Sequence, residues 1–444
     1  MKKVYIKTYG CQMNERDAEA LGARLAEAGF PAAASEEEAD VIILNTCSVR
    51  DAAERKAIGK LGYLRKWKSR RPGALLGVAG CMAQRRGETL LDEIPHLDFV
   101  LGTGELHRAP EIIAGLLAGG RRTADTAAPA GLPPGLELHL APSAGKTAQI
   151  AITRGCNRFC SYCIVPYVRG REVSRPRAEI VAEARELVAG GAREILLLGQ
   201  NVAAYGLNGI TTPPPADESP FAELLDELDT IPELLRLRFT SPYPTYFTDR
   251  LIATLAKSRC AARSFHLPLQ SGSDAVLRAM NRQYTAEEYL GIVRRIRAAI
   301  PDATFSTDVI VGFPGETEAD FAATRRVMEE VGFELAYIFK YSPRPGARST
   351  AMKDSVPETV KEERNQILLG DLEIRCRRRL AAMVGETVEV LTEGVSPRNP
   401  ERWSGRTSTN FVVHFAPPAG IRPGELRRVR ITRANVVSVV GEVL

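Results

Sequence analysis

The stretch that decides the fold is "RGCNRFCSYCIVPYVRG", residues 154–170, which follows a β-rich run at residues 149–153. It places Cys156, Cys160 and Cys163 in the spacing C-x3-C-x2-C. Three thiolates this close in sequence can ligate three irons of a 4Fe–4S cluster, because soft sulfur ligands favour iron–sulfur binding. No fourth cysteine lies nearby, so the pattern predicts one iron without a protein ligand.

An iron without a protein ligand can chelate an amino group and a carboxylate, which the methionine end of S-adenosylmethionine supplies. Electron transfer from the cluster then cleaves the sulfonium and gives a carbon radical. The alternative is a zinc knuckle, but zinc takes four ligands with paired C-x2-C spacing. The other candidate ligands, Cys260, His266 and Cys376, are remote in sequence and unpaired, so we favour the iron–sulfur interpretation.

Around this motif, residues 147–380 repeat a strand followed by a helix six times. Thr285 with Glu288, and Thr317 with Asp320, predict capping boxes at the start of two of the helices. Six units are two short of a full eight-fold barrel, so we predict a partial (β/α)6 barrel. Its open side suits a large substrate, and functional residues are expected at the carboxyl ends of the strands.

Three further cysteines follow predicted strands in the first 117 residues. Strands alternate there with helices, which predicts an N-terminal doubly wound α/β domain with a mostly parallel sheet. Cys11, Cys47 and Cys81 each follow one strand, 36 and 34 residues apart. Because loops converge at the carboxyl ends of parallel strands, these thiols are expected to meet. Polar neighbours such as Asn14 and Asn45 favour a metal site over three separately buried thiols.

The C-terminal residues 376–444 carry the basic charge of the chain. They hold eleven arginines, no lysine and six glutamates, a net +5 that equals the formal charge of the whole protein. Short strands punctuated by Gly and Pro predict a small antiparallel β-barrel, OB-like, with a basic face. An arginine-rich module on a neutral body suggests a phosphate-bearing polymer, whereas the alternative is a solvated tail with a codon bias toward Arg.

Composition places the chain among globular proteins of two or three domains. The length is 444 residues, and the hydrophobic and charged fractions are 44% and 25%. No apolar run approaches a membrane span and the N-terminus leads into a strand, so we expect a cytoplasmic protein without membrane contact. Eight cysteines without a secretory signal indicate metal binding or catalysis rather than a disulfide framework.

The order of these blocks resembles the radical methylthiotransferases, which join a three-cysteine domain, a radical S-adenosylmethionine (radical-SAM) barrel and a TRAM domain. The motifs "KTYGCQMNERD", "NTCSVRDAAERK", "GCNRFCSYCIVPYVRGREVSRP" and "LGQNVAAYG" are most similar to the tRNA isopentenyladenosine branch. The resemblance implies a methylthiotransferase N-terminal domain at 2–118, a linker at 119–144, a radical-SAM core at 145–375 and a TRAM RNA-binding domain at 376–442. It covers nearly the whole chain, and Tyr243 stands where family members often carry histidine.

The resemblance also implies the cofactors and the reaction. Cys11, Cys47 and Cys81 would bind a second, auxiliary 4Fe–4S cluster that holds the sulfur to be inserted. One S-adenosylmethionine would methylate that sulfur and a second would be cleaved, so two are used per turnover. The radical would take hydrogen from carbon 2 of the isopentenyladenosine next to the anticodon, and the 2-methylthio nucleoside would form. An external low-potential electron donor of the flavodoxin or ferredoxin type and a sulfur source are therefore expected partners.

Further site residues follow from their positions in these motifs. Tyr162, Gln200 and Asp308 are expected to contact S-adenosylmethionine. The candidate contacts to the tRNA anticodon stem-loop are all arginines: Arg169, Arg171, Arg427, Arg428 and Arg430. For Arg169 and Arg171, which follow the cysteine loop, a contact with the cofactor is the alternative to RNA phosphate.

Two classes of alternative function remain open at this point. Sister enzymes methylthiolate threonylcarbamoyladenosine in tRNA or a ribosomal protein aspartate, and the arginine-rich C-terminal module favours RNA. A non-enzyme alternative is an RNA-binding iron–sulfur redox sensor, which does not account for six barrel units with a cysteine triad after the first strand. A monomer is the default expectation for a chain that binds one folded RNA.

Overall fold

The computed structural model describes residues 1–48, 51–135, 137–139, 146–397 and 399–444. These residues form an N-terminal α/β domain, a central barrel and a C-terminal barrel. Within the described residues, no helix combines the length and the apolar character that a membrane span needs.

The N-terminal domain is a five-stranded parallel sheet with helices on both faces, as predicted. Its elements are β1 (Val4–Tyr9), α1 (Gln12–Glu27), β2 (Val41–Thr46), α2 (Asp51–Ser69), β3 (Leu75–Gly80), α3 (Cys81–Arg86), α4 (Thr89–Glu93), β4 (Phe99–Leu101), α5 (Ala109–Leu117) and β5 (Thr123–Asp125). Strands β2 and β3 are buried along their whole length, because α1 and α5 cover one face and α2 to α4 the other. The strand order is sequential, so β1, β2 and β3 are direct neighbours and their carboxyl ends lie side by side.

The predicted linker at 119–144 is partly structured. Strand β5 lies within it and pairs in parallel with β4, so the sheet extends beyond the predicted domain end. A strand of three residues is too short to show an alternating pattern, which is why the sequence did not reveal it. Residues 136 and 140–144 of the linker, and residue 145 after it, lie outside the described residues.

The central barrel confirms the six predicted strand–helix units. Its elements are β6 (Thr147–Ala151), β7 (Thr153–Arg154), α6 (Val165–Arg169), β8 (Val173–Ser174), α7 (Arg177–Ala189), β9 (Glu194–Leu198), α8 (Pro220–Leu228), β10 (Arg236–Phe239), α9 (Asp249–Lys257), β11 (Ser264–His266), α10 (Asp274–Ala279), α11 (Ala286–Ala299), β12 (Thr304–Val311), α12 (Glu318–Val331), β13 (Leu335–Lys340) and α13 (Glu358–Ala382). Two three-stranded parallel sheets, ordered β6-β9-β10 and β11-β12-β13, meet through a bridge between Leu237 and Ala261. Both predicted capping boxes, at Thr285 and Thr317, are present.

The C-terminal barrel is closed and consists of β14 (Thr387–Ser396), β15 (Asn399–Arg406), β16 (Val412–Phe415), β17 (Leu426–Ala434) and β18 (Val439–Val443). Four of its strand pairs are antiparallel and one, β16 with β18, is parallel. The boundary placed at residue 376 falls inside α13, which continues to Ala382. The arginines at 377–379 therefore extend this helix rather than open the barrel.

Candidate active site

Five of the six predicted cysteine ligands line one cavity of about 290 Å³ at the carboxyl ends of the strands. They come from both domains and are Cys11, Cys47, Cys156, Cys160 and Cys163. The sixth, Cys81, is buried just behind them and packs against Ile164 and Val168 in the segment that follows Cys163. The two triads therefore face each other across the contact between the N-terminal domain and the barrel.

The first triad is positioned by the ends of β1, β2 and β3. Cys11 caps the start of α1, and its thiol donates a hydrogen bond of 3.3 Å to Asn14 Oδ1. Asn14 and Asn45 bind each other, with Asn45 Nδ2 donating to Asn14 O at 2.7 Å. Gly80 sets the turn before Cys81 with a φ of 91°, and a Cβ there would lie 2.4 Å from Asn45 Oδ1.

The second triad lies on the loop between β7 and α6. Gly155 opens this loop with a φ of 78°, and a Cβ there would lie 2.1 Å from the carbonyl oxygen of Arg171. The backbone N–H of Cys163 donates to Cys160 O at 3.0 Å, which closes the loop on itself. Burial raises the pKa of the Cys163 thiol to about 12, and it also raises that of Cys156. Burial therefore favours the protonated thiols, and a metal ion must displace these protons to bind.

A cation from the barrel, Arg169, lies beside the first triad. A hydrogen bond with the Cys47 side chain lowers the pKa of Cys11 to about 6, assisted by the charge of Arg169 and opposed by burial. Burial raises the pKa of Cys81, although Arg169 opposes that shift. Arg169 is 3% exposed and its Nη1 has no hydrogen-bond partner among the described residues. A buried, unpaired N–H beside two thiols fits an anionic sulfur-rich group in that space.

Among the described residues, the thiols are not arranged to hold a single metal ion. Within the described part of the chain, no three His, Cys, Asp or Glu side chains converge closely enough to hold one metal ion. In a 4Fe–4S cluster each thiolate binds a different iron, so the ligands stand apart. Zinc would require four ligands converging on one point, so this arrangement does not fit the zinc alternative.

The expected S-adenosylmethionine contacts all line the cavity: Tyr162, Gln200 and Asp308. The side-chain carbonyl of Gln200 accepts a hydrogen bond of 2.6 Å from the backbone N–H of Gly155, so it also holds the cysteine loop. Asp308 lies 3.4 Å from His266 Nε2. Tyr162 packs beside Val276.

Two arginines of the cavity wall were missed by the sequence analysis. Arg158 and Arg282 lie on the Tyr243 ring, each with its guanidinium carbon 4.3 Å from the ring centroid. Arg282 Nη1 lies 3.6 Å from the Cys160 sulfur, and Arg158 Nε is buried without a hydrogen-bond partner in the described chain. Arg158 lies between Cys156 and Cys160, so the motif itself could have identified it as a residue of the site. Arg282 is 122 residues from Cys160, and no local pattern marks it.

The RNA candidates fall into different environments. Arg169 does not belong to an RNA surface, which corrects that prediction, because its side chain is buried and pairs with Asp17 Oδ2 at 2.8 Å. Arg171 is exposed and its guanidinium lies 4.6 Å from the ring centroid of Phe159. The remaining candidates belong to β17.

On β17, the alternation of the strand separates the arginines. Arg428 and Arg430 are exposed, whereas Arg427 is half-buried and pairs with Glu425 at 2.5 Å. In the strand register Arg428 lies opposite Glu389, and Arg430 lies opposite Glu442. The outer face of this strand is therefore flanked by acidic residues, and its positive charge is partly balanced.

Neither of the two remaining cysteines lies at the cavity. Cys260 is buried in the barrel core, where its backbone N–H donates to Asp229, and burial raises its pKa to about 12. The Cys376 thiol donates to the carbonyl oxygen of Glu334 at 3.0 Å. In the described residues, which include all eight cysteines, no disulfide is present.

Comparisons with known proteins agree with this architecture. Three family models match, described as Uncharacterized protein family UPF0004 at residues 3–102, Radical SAM superfamily at 150–328 and TRAM domain at 381–444. Among solved structures, the radical S-adenosylmethionine methyltransferase TsrM from Kitasatospora setae aligns with a TM-score of 0.55 at 14% identity. That alignment covers 77% of this chain and 72% of TsrM, and it shows a shared fold.

Two curated relatives carry the same name, tRNA-2-methylthio-N(6)-dimethylallyladenosine synthase. The protein from Opitutus terrae is 44% identical and covers 100% of this chain and 98% of its own length. The protein from Burkholderia cenocepacia is 42% identical, with coverage of 100% and 97%. Because relatives of this identity match the chain from end to end, it belongs to the tRNA-2-methylthio-N(6)-dimethylallyladenosine synthase family.

Proposed function

We propose that this protein is a tRNA methylthiotransferase that converts N(6)-isopentenyladenosine next to the anticodon to its 2-methylthio derivative. The observation that carries the proposal is the convergence of two cysteine triads, one from each domain, on a single cavity. The family membership supports the same reaction, since the relatives are named for it. One catalytic cavity with two sulfur-rich walls suits a reaction that joins carbon to sulfur.

The radical SAM superfamily implies a 4Fe–4S cluster and S-adenosylmethionine. Cys156, Cys160 and Cys163 would hold that cluster, while Cys11, Cys47 and Cys81 would hold a second one. When bound, the first cluster supplies the electron that cleaves S-adenosylmethionine to a carbon radical, and the second supplies the site for the incoming sulfur. We propose two molecules of S-adenosylmethionine per turnover, one for methylation and one for cleavage.

The chain's own residues would bind and orient these groups. Gln200 holds the cysteine loop through the Gly155 N–H and keeps its side-chain amide at the cavity. Asp308 offers a carboxylate to the amine or hydroxyl groups of the cofactor. Arg158 and Arg282 place positive charge at the wall, which favours a carboxylate and anionic clusters.

The proposed RNA contacts are the exposed arginines Arg171, Arg428 and Arg430 together with the half-buried Arg427, since Arg169 is buried. Arg171 lies beside the cysteine loop, and Arg427, Arg428 and Arg430 lie on β17 of the C-terminal barrel. A low-potential electron donor and a sulfur source complete the reaction, and we propose that the protein acts as a monomer in the cytoplasm.

The test is an anaerobic reaction of the reconstituted protein with S-adenosylmethionine, a low-potential reductant and tRNA carrying isopentenyladenosine. Mass spectrometry of the digested nucleosides should show the methylthio product. Cys11→Ala and Cys156→Ala should each abolish it, whereas Cys376→Ala, a thiol remote from the cavity, should leave it unchanged. If 5′-deoxyadenosine forms but the nucleoside is unmodified, the substrate assignment is wrong, and threonylcarbamoyl tRNA and the ribosomal protein are tested next.

A further inference from the structure

The last strand of the central barrel carries large apolar side chains that remain exposed. Leu335, Tyr337 and Phe339, hereafter the stripe, are 40%, 45% and 39% exposed. Because side chains alternate along a strand, these three share one face of β13. Ala336 and Ile338 point to the opposite face, where they pack in the hydrophobic cluster between the strands and the surrounding helices. A row of exposed apolar groups on one strand indicates a surface that meets a partner.

The stripe faces the inside of the barrel, and Tyr337 lies next to a residue of the active-site cavity. In the strand register Tyr337 lies opposite Asp308, which lines the cavity with the cysteines. The Tyr337 ring centroid lies 6.2 Å from that of His266 on β11. His266 in turn contacts Ser306 Oγ at 3.0 Å, so these side chains occupy the same inner face.

The stripe lies on an edge strand of the central barrel. Strand β13 ends one three-stranded sheet and β6 ends the other, and in the described chain neither outer edge is paired with another strand. Strand pairing therefore does not close the central barrel between β13 and β6.

The other end of the stripe lies toward the C-terminal barrel. Arg236 Nη1 donates to Arg406 O at 2.8 Å, and Thr304 Oγ1 donates to Thr409 O at 2.9 Å. Arg236 and Thr304 begin their strands, so the C-terminal barrel docks at the end of the central barrel opposite the cavity. Leu335 also begins its strand, and six residues of β13 span roughly 20 Å between that end and the cavity.

We propose that the stripe is a stacking surface for the unpaired bases that flank the target adenosine in the RNA loop. Aromatic faces accept any base by stacking, and single-stranded segments are recognised in this way. Lys340 lies on the opposite face of β13, where it pairs with Glu358 at 2.7 Å and Glu362 at 2.6 Å. The stripe itself carries no charged side chain, so its chemistry suits bases rather than the RNA backbone. The inference rests on the proposed function, because it takes tRNA as the substrate.

The test measures RNA binding by the reconstituted full-length protein. The probe is a synthetic anticodon stem-loop that carries N(6)-isopentenyladenosine and 2-aminopurine, a fluorescent base, at a flanking position. Tyr337→Ala should weaken binding about 5-fold to 150-fold and abolish the quenching of 2-aminopurine, since one base loses its stacking partner. Tyr337→Phe should retain both, because the ring remains.

The matched control is Tyr63→Ala, which removes a tyrosine that is 68% exposed on α2. Iron content and the urea midpoint should be equal in all variants, which shows that each one is folded. Wild-type affinity and quenching in Tyr337→Ala would overturn the proposal, as would equal losses in Tyr337→Ala and Tyr63→Ala or in Tyr337→Ala and Tyr337→Phe. If the affinities follow the expected pattern but the wild-type protein makes no methylthio product, the proposed function fails and the stacking surface stands.

Discussion

The Arg169 guanidinium and the Asp17 carboxylate form a buried ion pair of 2.8 Å that joins the N-terminal domain to the barrel. Asp17 lies on α1, which starts directly after Cys11, and Arg169 ends the short helix that follows Cys163. The pair therefore ties together the two segments that carry the cysteine triads. The free Nη1 of Arg169 beside the first triad leaves one donor for that site.

Arg169→Met should lower the reduction potential of the N-terminal cluster. A positive charge near a cluster favours its reduced, more negative state, and its removal at an effective dielectric constant of about 20 costs about 1–3 kcal/mol per electron. The measurement is a redox titration followed by electron paramagnetic resonance in a background with Cys156, Cys160 and Cys163 replaced by alanine. Arg171→Met, an exposed neighbour, should leave the potential unchanged. Equal potentials in Arg169→Met and the parent would show that this guanidinium does not act on the cluster.

Asp17→Asn should destabilise the contact between the two domains by about 3–5 kcal/mol, because two buried guanidiniums lose their counter-charge. Arg154 Nη1 binds Asp17 Oδ1 at 2.8 Å, so the one carboxylate serves both Arg154 and Arg169. The urea midpoint of the full-length protein measures the loss. Glu15→Gln, an exposed acid on the same helix, is the control and should change the midpoint little. A wild-type midpoint in Asp17→Asn would mean that water replaces the carboxylate.

Cys81→Ala should reduce the iron of the reconstituted protein by about half, from about eight to about four per chain, if each triad holds one cluster. Cys81 is 1% exposed and lies next to the cavity, whereas Cys260 is 3% exposed and lies in the barrel core. Cys260→Ala is therefore a control of the same residue type and similar burial, and it should retain full iron. Iron and sulfide analysis with Mössbauer spectra distinguishes the two variants. Full iron in Cys81→Ala would remove it from the ligand set.

The linker residue His139, which contacts Glu183 and Glu19, should make the free energy of unfolding depend on pH. Burial lowers the pKa of His139 and Arg16 opposes protonation, but hydrogen bonds to Glu183 and Glu19 outweigh them and raise it. The protonated form is thus favoured in the folded protein. The contribution of protonated His139 to the free energy of unfolding is fully present below the unfolded pKa of about 6.5. It is lost as the pH rises through the higher pKa of the folded protein.

His139→Gln should flatten this dependence. The measurement compares urea midpoints at about pH 6 and about pH 9, on either side of the ordinary histidine pKa. The wild type should lose more stability than His139→Gln over that interval, while His107→Gln should behave as the wild type. If the urea midpoints of the wild type and of His139→Gln change equally between the two pH values, the contact of His139 with Glu183 and Glu19 does not titrate.

The convergence of the cysteines was predictable because its signal is local in sequence. Both triads follow strand ends, and a C-x3-C-x2-C spacing requires no tertiary information to be recognised. The residues that hold the triads in place were not predictable, since Asp17 is 137 residues from Arg154 and 152 from Arg169. Such pairs exist only after the domains dock. The burial of Arg169 also depends on the docking of the domains. The sequence around it does not reveal that burial, which is why Arg169 was counted among the RNA candidates.

The fold shows the same division between local and long-range information. The capping boxes at Thr285 and Thr317 use residues three apart and were predicted correctly. Strand β5 exists because β4 offers a free edge, which its own three residues do not encode. The boundary near residue 376 was placed by a change in composition, but α13 continues through it, since arginine is a good helix former.

Arg430→Ala should weaken RNA binding at low salt and reduce the slope of log affinity against log salt by about 1, the loss of one phosphate contact. Arg430 is exposed on the outer face of β17, where Glu442 lies opposite it. Glu442→Gln should therefore strengthen binding at low salt, because it releases the arginine for phosphate. Arg427→Ala should have a smaller effect, since Glu425 already pairs with that side chain. If titrations of Arg430→Ala and the wild type superimpose at all salt concentrations, the outer face of β17 does not contact RNA phosphate.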